Sequence, residues 1–405
     1  MTTVKIAIVG GGIGGSALAL SLHAAGVRDV EVFEASSAFI ELGVGINVLP
    51  HAVRELTELG IFDEVAERAI HTGGLIYYDR FGQQIWAEPR GLAAGYKWPQ
   101  LSIHRGELFG IMARAAQDRI GVDRFHTGVR INDPDELSAD FDVVVACDGI
   151  HSAVRSWMVP DEGPPLWNGV TMWRGVSAMP PILDGRTMVM AGRLWQRVVV
   201  YPIRDLPDGR QLVNWVAEVR NGDGQPMPKQ DWNTAVPVSE PLAFFGDFCF
   251  DWLDVPAMIR AADEVLAYPM ADRDPLPTWR RGRVTLLGDA AHPMYPVGSN
   301  GASQAIIDAR ILARELATQP SVDAALDSYE STRRPATSAI VLANRQAGPE
   351  QSMEIVAERA PNGFDNLDDV ISQEELQAIS SRYKAIAGFD PTLLNDRESW
   401  SVTPH

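Results

Sequence analysis

The stretch VKIAIVGGGIGGSALALSLHAAGV, residues Val4 to Val27, decides the fold. Val4 to Val9 is too uniformly apolar for a half-exposed strand and predicts a buried parallel one, followed by a tight turn and a helix from about Gly14 to Ala25. Gly10, Gly12 and Gly15 satisfy G-x-G-x-x-G, with Ile13 and Gly14 inside the motif. In that pattern the first glycine turns the chain, the second lets backbone approach a pyrophosphate, and the third packs helix on strand. Val30 to Phe33 predicts the next strand, and Glu34, with Ala35 beside it, falls about 20 residues after the loop, where an acid suits a ribose. The loop alone is compatible with NAD, FAD or no nucleotide.

Working outward, a helix is expected from His51 to Leu59, strand material from Leu75 to Trp86 with a turn at Arg80 to Gly82, and a helix after His104. Phe141 to Ala146 is again continuously apolar and ends in Cys147-Asp148-Gly149, a third buried strand of the nucleotide unit. From about Val170 to Tyr268, β-rich runs such as Arg197 to Ile203 and Gln211 to Val219 alternate with turns, which predicts a separate sheet layer. Arg283 to Leu287 restores the first unit, Ser303 to Leu316 is helical, and the tail from Ser328 is helical until the pattern fades near Pro391. The expected architecture is α/β: a Rossmann-like domain (1–74, 100–169, 269–345) interleaved with a β-sheet domain (75–99, 170–268) and closed by a helical segment (346–405).

A second glycine-rich run, GDAAHPMYPVGSNG from Gly288 to Gly301, gives the first loop a distant partner. Asp289 follows the apolar strand and suits either a hydrogen bond from a sugar-like hydroxyl of a long cofactor or a cap on the next turn. Gly298, Ser299, Asn300, Gly301 and Ala302 lead into a helix whose N-terminal N–H groups would face an anion, which suits the pyrimidine side of a reduced flavin. Together the two loops point to FAD.

At 405 residues and 46% hydrophobic content the chain can bury a large core, and its net charge of −18 disfavours nucleic acid or an anionic membrane as partner. Two cysteines, Cys147 and Cys249, give neither a disulfide framework nor a metal set, so no metal is expected. Without an apolar run of about 20 residues or an export signal, a cytoplasmic monomer or homodimer is expected.

GGGIGG, Glu34, SIHRGEL with Arg105, CDGIHSAVR with Asp148 and GDAAHP with Asp289 resemble the class A flavoprotein aromatic hydroxylases over most of the chain. Within that family LGVGINVLPHAV, VTMWRGV, LVNWV, YPMADRDPLPTW and MYPVGSNGASQAI are most similar to the phenazine-pathway hydroxylases that form pyocyanin, and more loosely to salicylate hydroxylases. The resemblance implies Arg105 at the flavin or pyrophosphate, Val129 at the adenine through its backbone, and Asp148-Gly149 with Arg155 in a motif serving both FAD and NAD(P)H. It implies an NAD(P)H-dependent FAD monooxygenase, with NADPH or NADH as transient reductant, in which an aromatic or N-heteroaromatic substrate meets dioxygen activated as a flavin hydroperoxide. An FAD oxidase or dehydrogenase that takes hydride without NAD(P)H is the alternative. The family's G-Q-G is Ser299-Asn300-Gly301 here, so the first glycine's backbone freedom is lost.

The flavin carries the hard step, so no triad or paired carboxylate is needed. Gly45, Ile46, Pro296 and Val297 are expected at the flavin face, and Trp173, Tyr201 and Trp215 either line the substrate sheet or pack as core. Trp173-Arg174 suits a carboxylate clamp or a structural ion pair. Pro296, His51 and Tyr201 are the candidates nearest to catalytic roles, His51 also suiting a polar helix start, while His292 is expected to support its loop.

Overall fold

The computed structural model describes residues 4–37, 44–222, 227 and 235–402, so Leu42 and Gly43 of the LGVGINVLPHAV run and the outermost ends of the expected domains lie outside the described residues. Its nucleotide sheet has six strands in the order Arg280–Arg281, Val284–Leu286, Val143–Ala146, Ile6–Val9, Val30–Glu34, Phe125–Thr127. Ile6–Val9 pairs parallel with both Val30–Glu34 and Val143–Ala146, as its two-sided burial requires. The parallel strands run the same way, so their following loops, carrying Gly10 to Gly12, Ala35, Asp148 and Asp289, meet along one edge. The crevice there, where chain order reverses, is where such sheets bind ligands.

Two glycines make that edge possible. Gly10 has φ +99°, and a Cβ on it would lie 2.5 Å from the Cys147 carbonyl oxygen. A Cβ on Gly15 would lie 2.0 Å from the Gly10 carbonyl, so the helix Ile13–Ala24 closes on its strand only through glycine. That helix packs beside Gly301–Thr318, which begins at the second glycine loop.

The second layer is a seven-stranded sheet ordered Leu266–Asp272, Leu166–Met179, Gln211–Arg220, Gln196–Asp205, Thr187–Arg193, Gly74–Tyr78, Gln84–Pro89. Its pairs are antiparallel except Thr187–Arg193 with Gly74–Tyr78. The expected turn at Arg80 to Gly82 joins its last two strands. One face packs under the helices Ser239–Phe245 and Val255–Arg260, burying Trp173, Trp215, Phe245 and Ile259. The other face carries Met172, Met190, Val199, Tyr201 and Val216 and meets Val297, Met353 and Leu376. A three-stranded sheet, Gly45–Val48, Gln100–His104 and Ile70–Thr72, joins the layers and has no clear sequence signal.

The tail is helical over Val322–Arg345, Gln351–Arg359 and Gln373–Ile386, interrupted at Gly348-Pro349 and between 360 and 372. The helical pattern was expected to fade near Pro391, but Pro391–Asp396 is a further helix. Proline occupies its first position, where no N–H is needed, and the Asp390 carboxylate accepts the N–H groups of Thr392 and Leu393.

Candidate functional site

A trough of about 450 Å³ runs along the convergent edge of the nucleotide sheet. Gly10, Gly12, Ile13, Gly14, Glu34, Ala35, Ile46, Arg105, Val129, Asp148, Asp289, Gly301 and Ala302 line it. It adjoins a cavity of about 250 Å³ under the seven-stranded sheet, where Gly45, Ile46, Tyr201, Pro296, Val297, Ser299 and Asn300 stand. A further cavity of about 480 Å³ opens beside both, and Arg105 and Asp289 border all three.

The trough is built from backbone donors and carboxylates. The helix Ile13–Ala24 has no side-chain cap and no acid in its first turn, so its positive N-terminal end faces the trough. A Cβ on Gly12 would meet nothing within 4 Å, which leaves room for a ligand to approach backbone. Glu34 accepts the N–H groups of Gly11 and Ser36 at 2.8 Å each, and a carboxylate so placed keeps lone pairs for a further donor. The Val129 N–H is spent on the Glu34 carbonyl at 3.0 Å, so only its carbonyl can serve a ligand. Asp148 fixes the next helix by accepting the Ala153 N–H at 2.8 Å, while its buried Oδ1 has no hydrogen-bond partner among the described residues. Burial raises the Asp148 pKa.

Asp289 opens to the cavities although protein surrounds it; burial raises its pKa against the pull of His292 and Arg105. Burial likewise lowers the Arg105 pKa, opposed by Asp289. His292 approaches the Asp308 carboxylate at 2.6 Å, and Asp308 also accepts from Gly288 N–H at 3.1 Å and Arg333 at 2.6 Å. Buried Arg155 donates to the carbonyls of Ala290 and Ala291 at 3.1 and 2.8 Å. His292 and Arg155 thus hold the Asp289 loop from behind.

Five of the expected site residues, Trp173, Trp215, His51, Gly298 and Gly15, line none of these three cavities. Trp173 and Trp215 are on the far face of the sheet: register opposes Trp215 to Val200 and Gly175, so it points away from Tyr201 and Arg174. Trp215 donates to Ser177 Oγ at 3.0 Å, and Trp173 stacks on Phe244 and reaches Glu240 at 3.2 Å. His51 is buried against Phe389, with ring centroids 5.4 Å apart, and lines none of these three cavities. Burial and the charges of Arg333 and Arg397 push its pKa down to about 3, so it is neutral and unsuited to proton transfer. Gly298 faces Tyr383, in a turn that packs against Gly348–Glu350. Gly15 serves the trough only through packing.

Arg174, a clamp candidate from the sequence, stands at the border of the 250 Å³ cavity with the third one, and residues that the sequence did not single out line the rest: Met172, Met188, Met190 and Met294 as apolar walls, and Arg197, Glu218 and Glu350 as a buried ionic group. Burial pushes Tyr201 up to about 12 against the pull of the Arg174 guanidinium, so it stays a neutral phenol. Period-2 alternation was the available signal: Arg197, Val199 and Tyr201 share one face, and Arg197 sits directly opposite Glu218.

The glycine cradle, the orphaned Asp148 oxygen and the acids at Glu34 and Asp289 fit a long dinucleotide, with an uncapped helix end at each side of the Asp289 loop's cavity. Residues 257–344 match the model of an FAD binding domain. The chain is 41% identical over 406 residues to the phenazine 1,6-dicarboxylic acid hydroxylase of Lysobacter antibioticus, covering 95% of this chain and 97% of that protein. It is 30% identical to the salicylate hydroxylase of Pseudomonas putida, covering 82% of each. HpxO of Klebsiella pneumoniae, solved with FAD and uric acid, superposes with a TM-score of 0.72 at 24% identity over 95% of this chain and 96% of its own. Sequence motifs, cavity chemistry and whole-length similarity therefore agree, and the chain belongs to the class A flavoprotein aromatic hydroxylases, the FAD-dependent aromatic monooxygenases.

Proposed function

We propose that this monooxygenase hydroxylates a planar N-heteroaromatic acid of phenazine type, its carboxylate held by Arg174. The observation that carries this reading is the 250 Å³ cavity itself, with methionine walls suited to a flat ring and the Arg174 guanidinium at its border. The whole-length likeness to a phenazine hydroxylase supports it.

In this reading the N-terminal turn after Gly12 holds the pyrophosphate with Arg105, Glu34 takes the adenosine ribose, and the Val129 carbonyl meets the adenine. Asp289 accepts a hydroxyl of the linking chain, while Asn300, Gly301 and Ala302 present an uncapped helix end to the pyrimidine side of the ring, favouring negative charge there. FAD, held by these residues, would carry two electrons from NADPH or NADH to dioxygen, one atom of which would enter the aromatic ring while the other leaves as water. Pro296 and Val297 form the wall between cofactor and substrate and exclude water. Arg174 fixes the carboxylate, and Tyr201, a neutral phenol on the same cavity wall, offers its O–H to a ring substituent. Among the described residues no helix is long and apolar enough to cross a membrane; with the acidic charge and two cysteines, we place the enzyme in the cytoplasm as a monomer or homodimer.

The test is NADH and NADPH oxidation in air with phenazine-1-carboxylate, phenazine-1,6-dicarboxylate and salicylate, with product masses. Stimulation by a phenazine acid with gain of one oxygen, with or without loss of CO2, is expected. Turnover of salicylate alone overturns the substrate class, and anaerobic flavin reduction by substrate without nicotinamide overturns the monooxygenase cycle in favour of the oxidase.

A further inference from the structure

Glu350 enters the substrate cavity from the helical tail, in the turn Gly348–Glu350, far in sequence from any cofactor motif. It is 2% exposed, and it meets Arg197 at 3% and Glu218 at 4% on the two central strands of the sheet. Arg197 Nη1 lies 2.5 Å from Glu350 Oε2, and Nη2 lies 2.7 Å from Glu218 Oε2. On its other side the turn Gly348–Glu350 packs against Val297–Ser299, where a Cβ on Gly348 would lie 2.9 Å from Val297 Cγ1, and the Gly298 N–H favours the charged form of the Glu350 carboxylate.

That contact falls on a turn that needs outside support. Gly298 and Ser299 have φ of +67° and +57°, two left-handed residues in succession, the second without glycine's freedom. Directly after them come Asn300 and the helix Gly301–Thr318, whose first turn borders both trough and cavity. Tyr383, from the helix Gln373–Ile386, also pins the turn, reaching the Val297 carbonyl at 3.0 Å and receiving Asn300 Nδ2 at 3.0 Å, but Tyr383 does not line the substrate cavity. Glu350 touches both.

We propose that Glu350 is a positioning residue that couples the contents of the substrate cavity to the cofactor-side turn, through Arg197 on the cavity wall and the Gly298 N–H on the loop. A ligand that draws on Arg197 or Glu218 changes what the Glu350 carboxyl group can offer Gly298, and so the seating of Asn300 to Ala302. The inference rests on the reading of this cavity as the substrate site. Two carboxylates share one guanidinium, and burial, with Glu218 adding to it, pushes Glu350 up to about 7 against Arg197. The remaining groups facing it are the Tyr77 and Tyr383 phenols, both pushed upward by burial. Below that pH the cluster is neutral with the proton on Glu350; above it the cluster carries one negative charge, and the carboxylate is the stronger acceptor for Gly298 N–H.

The test uses the purified holoenzyme without substrate, following the visible flavin spectrum and flavin fluorescence from pH 5.5 to 8.5 (about 1.5 units either side of the midpoint). A reversible step near pH 7 is expected, lost in Glu350→Gln and displaced to lower pH in Glu218→Gln, because removing the neighbouring charge eases ionisation of Glu350. With phenazine-1-carboxylate, Glu350→Gln should release several-fold more hydrogen peroxide per nicotinamide consumed than the wild type does. Should Glu350→Gln not fold, the Glu218→Gln displacement decides. A flavin step unchanged in both variants, or absent from the wild type, overturns the coupling whatever the substrate. A normal step together with no binding of phenazine acids overturns the substrate reading and leaves the coupling supported.

Discussion

Replacing Asp289 by alanine separates cofactor binding from folding. The carboxylate opens to the trough and both neighbouring cavities, so its free lone pairs are available to the linking chain of FAD. A hydrogen bond from a hydroxyl to a charged acceptor is worth about 1.5–3 kcal/mol. At about 1.4 kcal/mol per factor of ten, FAD should bind Asp289→Ala roughly 10- to 150-fold more weakly. The apoprotein should behave differently. The folded state raises the Asp289 pKa, so it binds more protons than the unfolded chain across the window between the two values, and the ionised group opposes folding at neutral pH. Cavity water screens that cost, and loss of the carboxylate also deprives Arg105 of a counter-charge, so the two effects nearly offset. Apoprotein titrated with FAD by fluorescence quenching, beside the thermal midpoint of both apoproteins, gives the two quantities. An FAD Kd within twofold of wild type, or a loss of affinity explained by a destabilised apoprotein, would refute the role.

The other substitutions probe the two sheet faces and the buried histidine. Arg174→Ala should raise KM for an aromatic acid by at least tenfold, from the loss of a charge-assisted bond of about 1.5–3 kcal/mol, while leaving FAD content unchanged; an equal effect on a substrate lacking the carboxylate would refute the clamp. Trp215→Ala should cost about 3–5 kcal/mol of stability through a cavity on the far face of the sheet, measured by denaturant unfolding. Its KM per folded enzyme should stay near wild type, and a selective rise in KM would put Trp215 back in the substrate site. His51→Leu addresses pH. With the folded pKa near 3 and the unfolded value near 6.5, the unfolded chain takes up a proton first, so this residue removes stability as pH falls from about 6.5 toward 3. The variant should show a shallower acid decline between pH 6.5 and 4, and a parallel decline in both proteins would count against the buried neutral imidazole.

The parts of the enzyme visible in its sequence are those whose function depends on local backbone. G-x-G-x-x-G after an apolar run requires Gly10 at positive φ and Gly15 against a carbonyl, and both constraints act between near neighbours. The same holds for Glu34 at its strand end and Asp289 after Val284–Leu286, so the fold class and the cofactor trough were legible without coordinates. The substrate cavity was not. Which face of a strand turns inward is set by register, and one residue of offset separates Tyr201, in the cavity, from Val200 and its partner Trp215 in the core behind. His51 looked polar at a helix start, but Phe389 from the distant tail covers it. Glu350 carries no motif at all: its meaning comes from the packing that brings the tail against Arg197 and Gly298. Sequence alone determined the dinucleotide loops, because backbone geometry at a glycine loop is a local property, and the motifs around them pointed to the cofactor and the class of reaction by resemblance. Tertiary structure decided which side chains face the substrate cavity, because burial and charge pairing there join segments more than 100 residues apart.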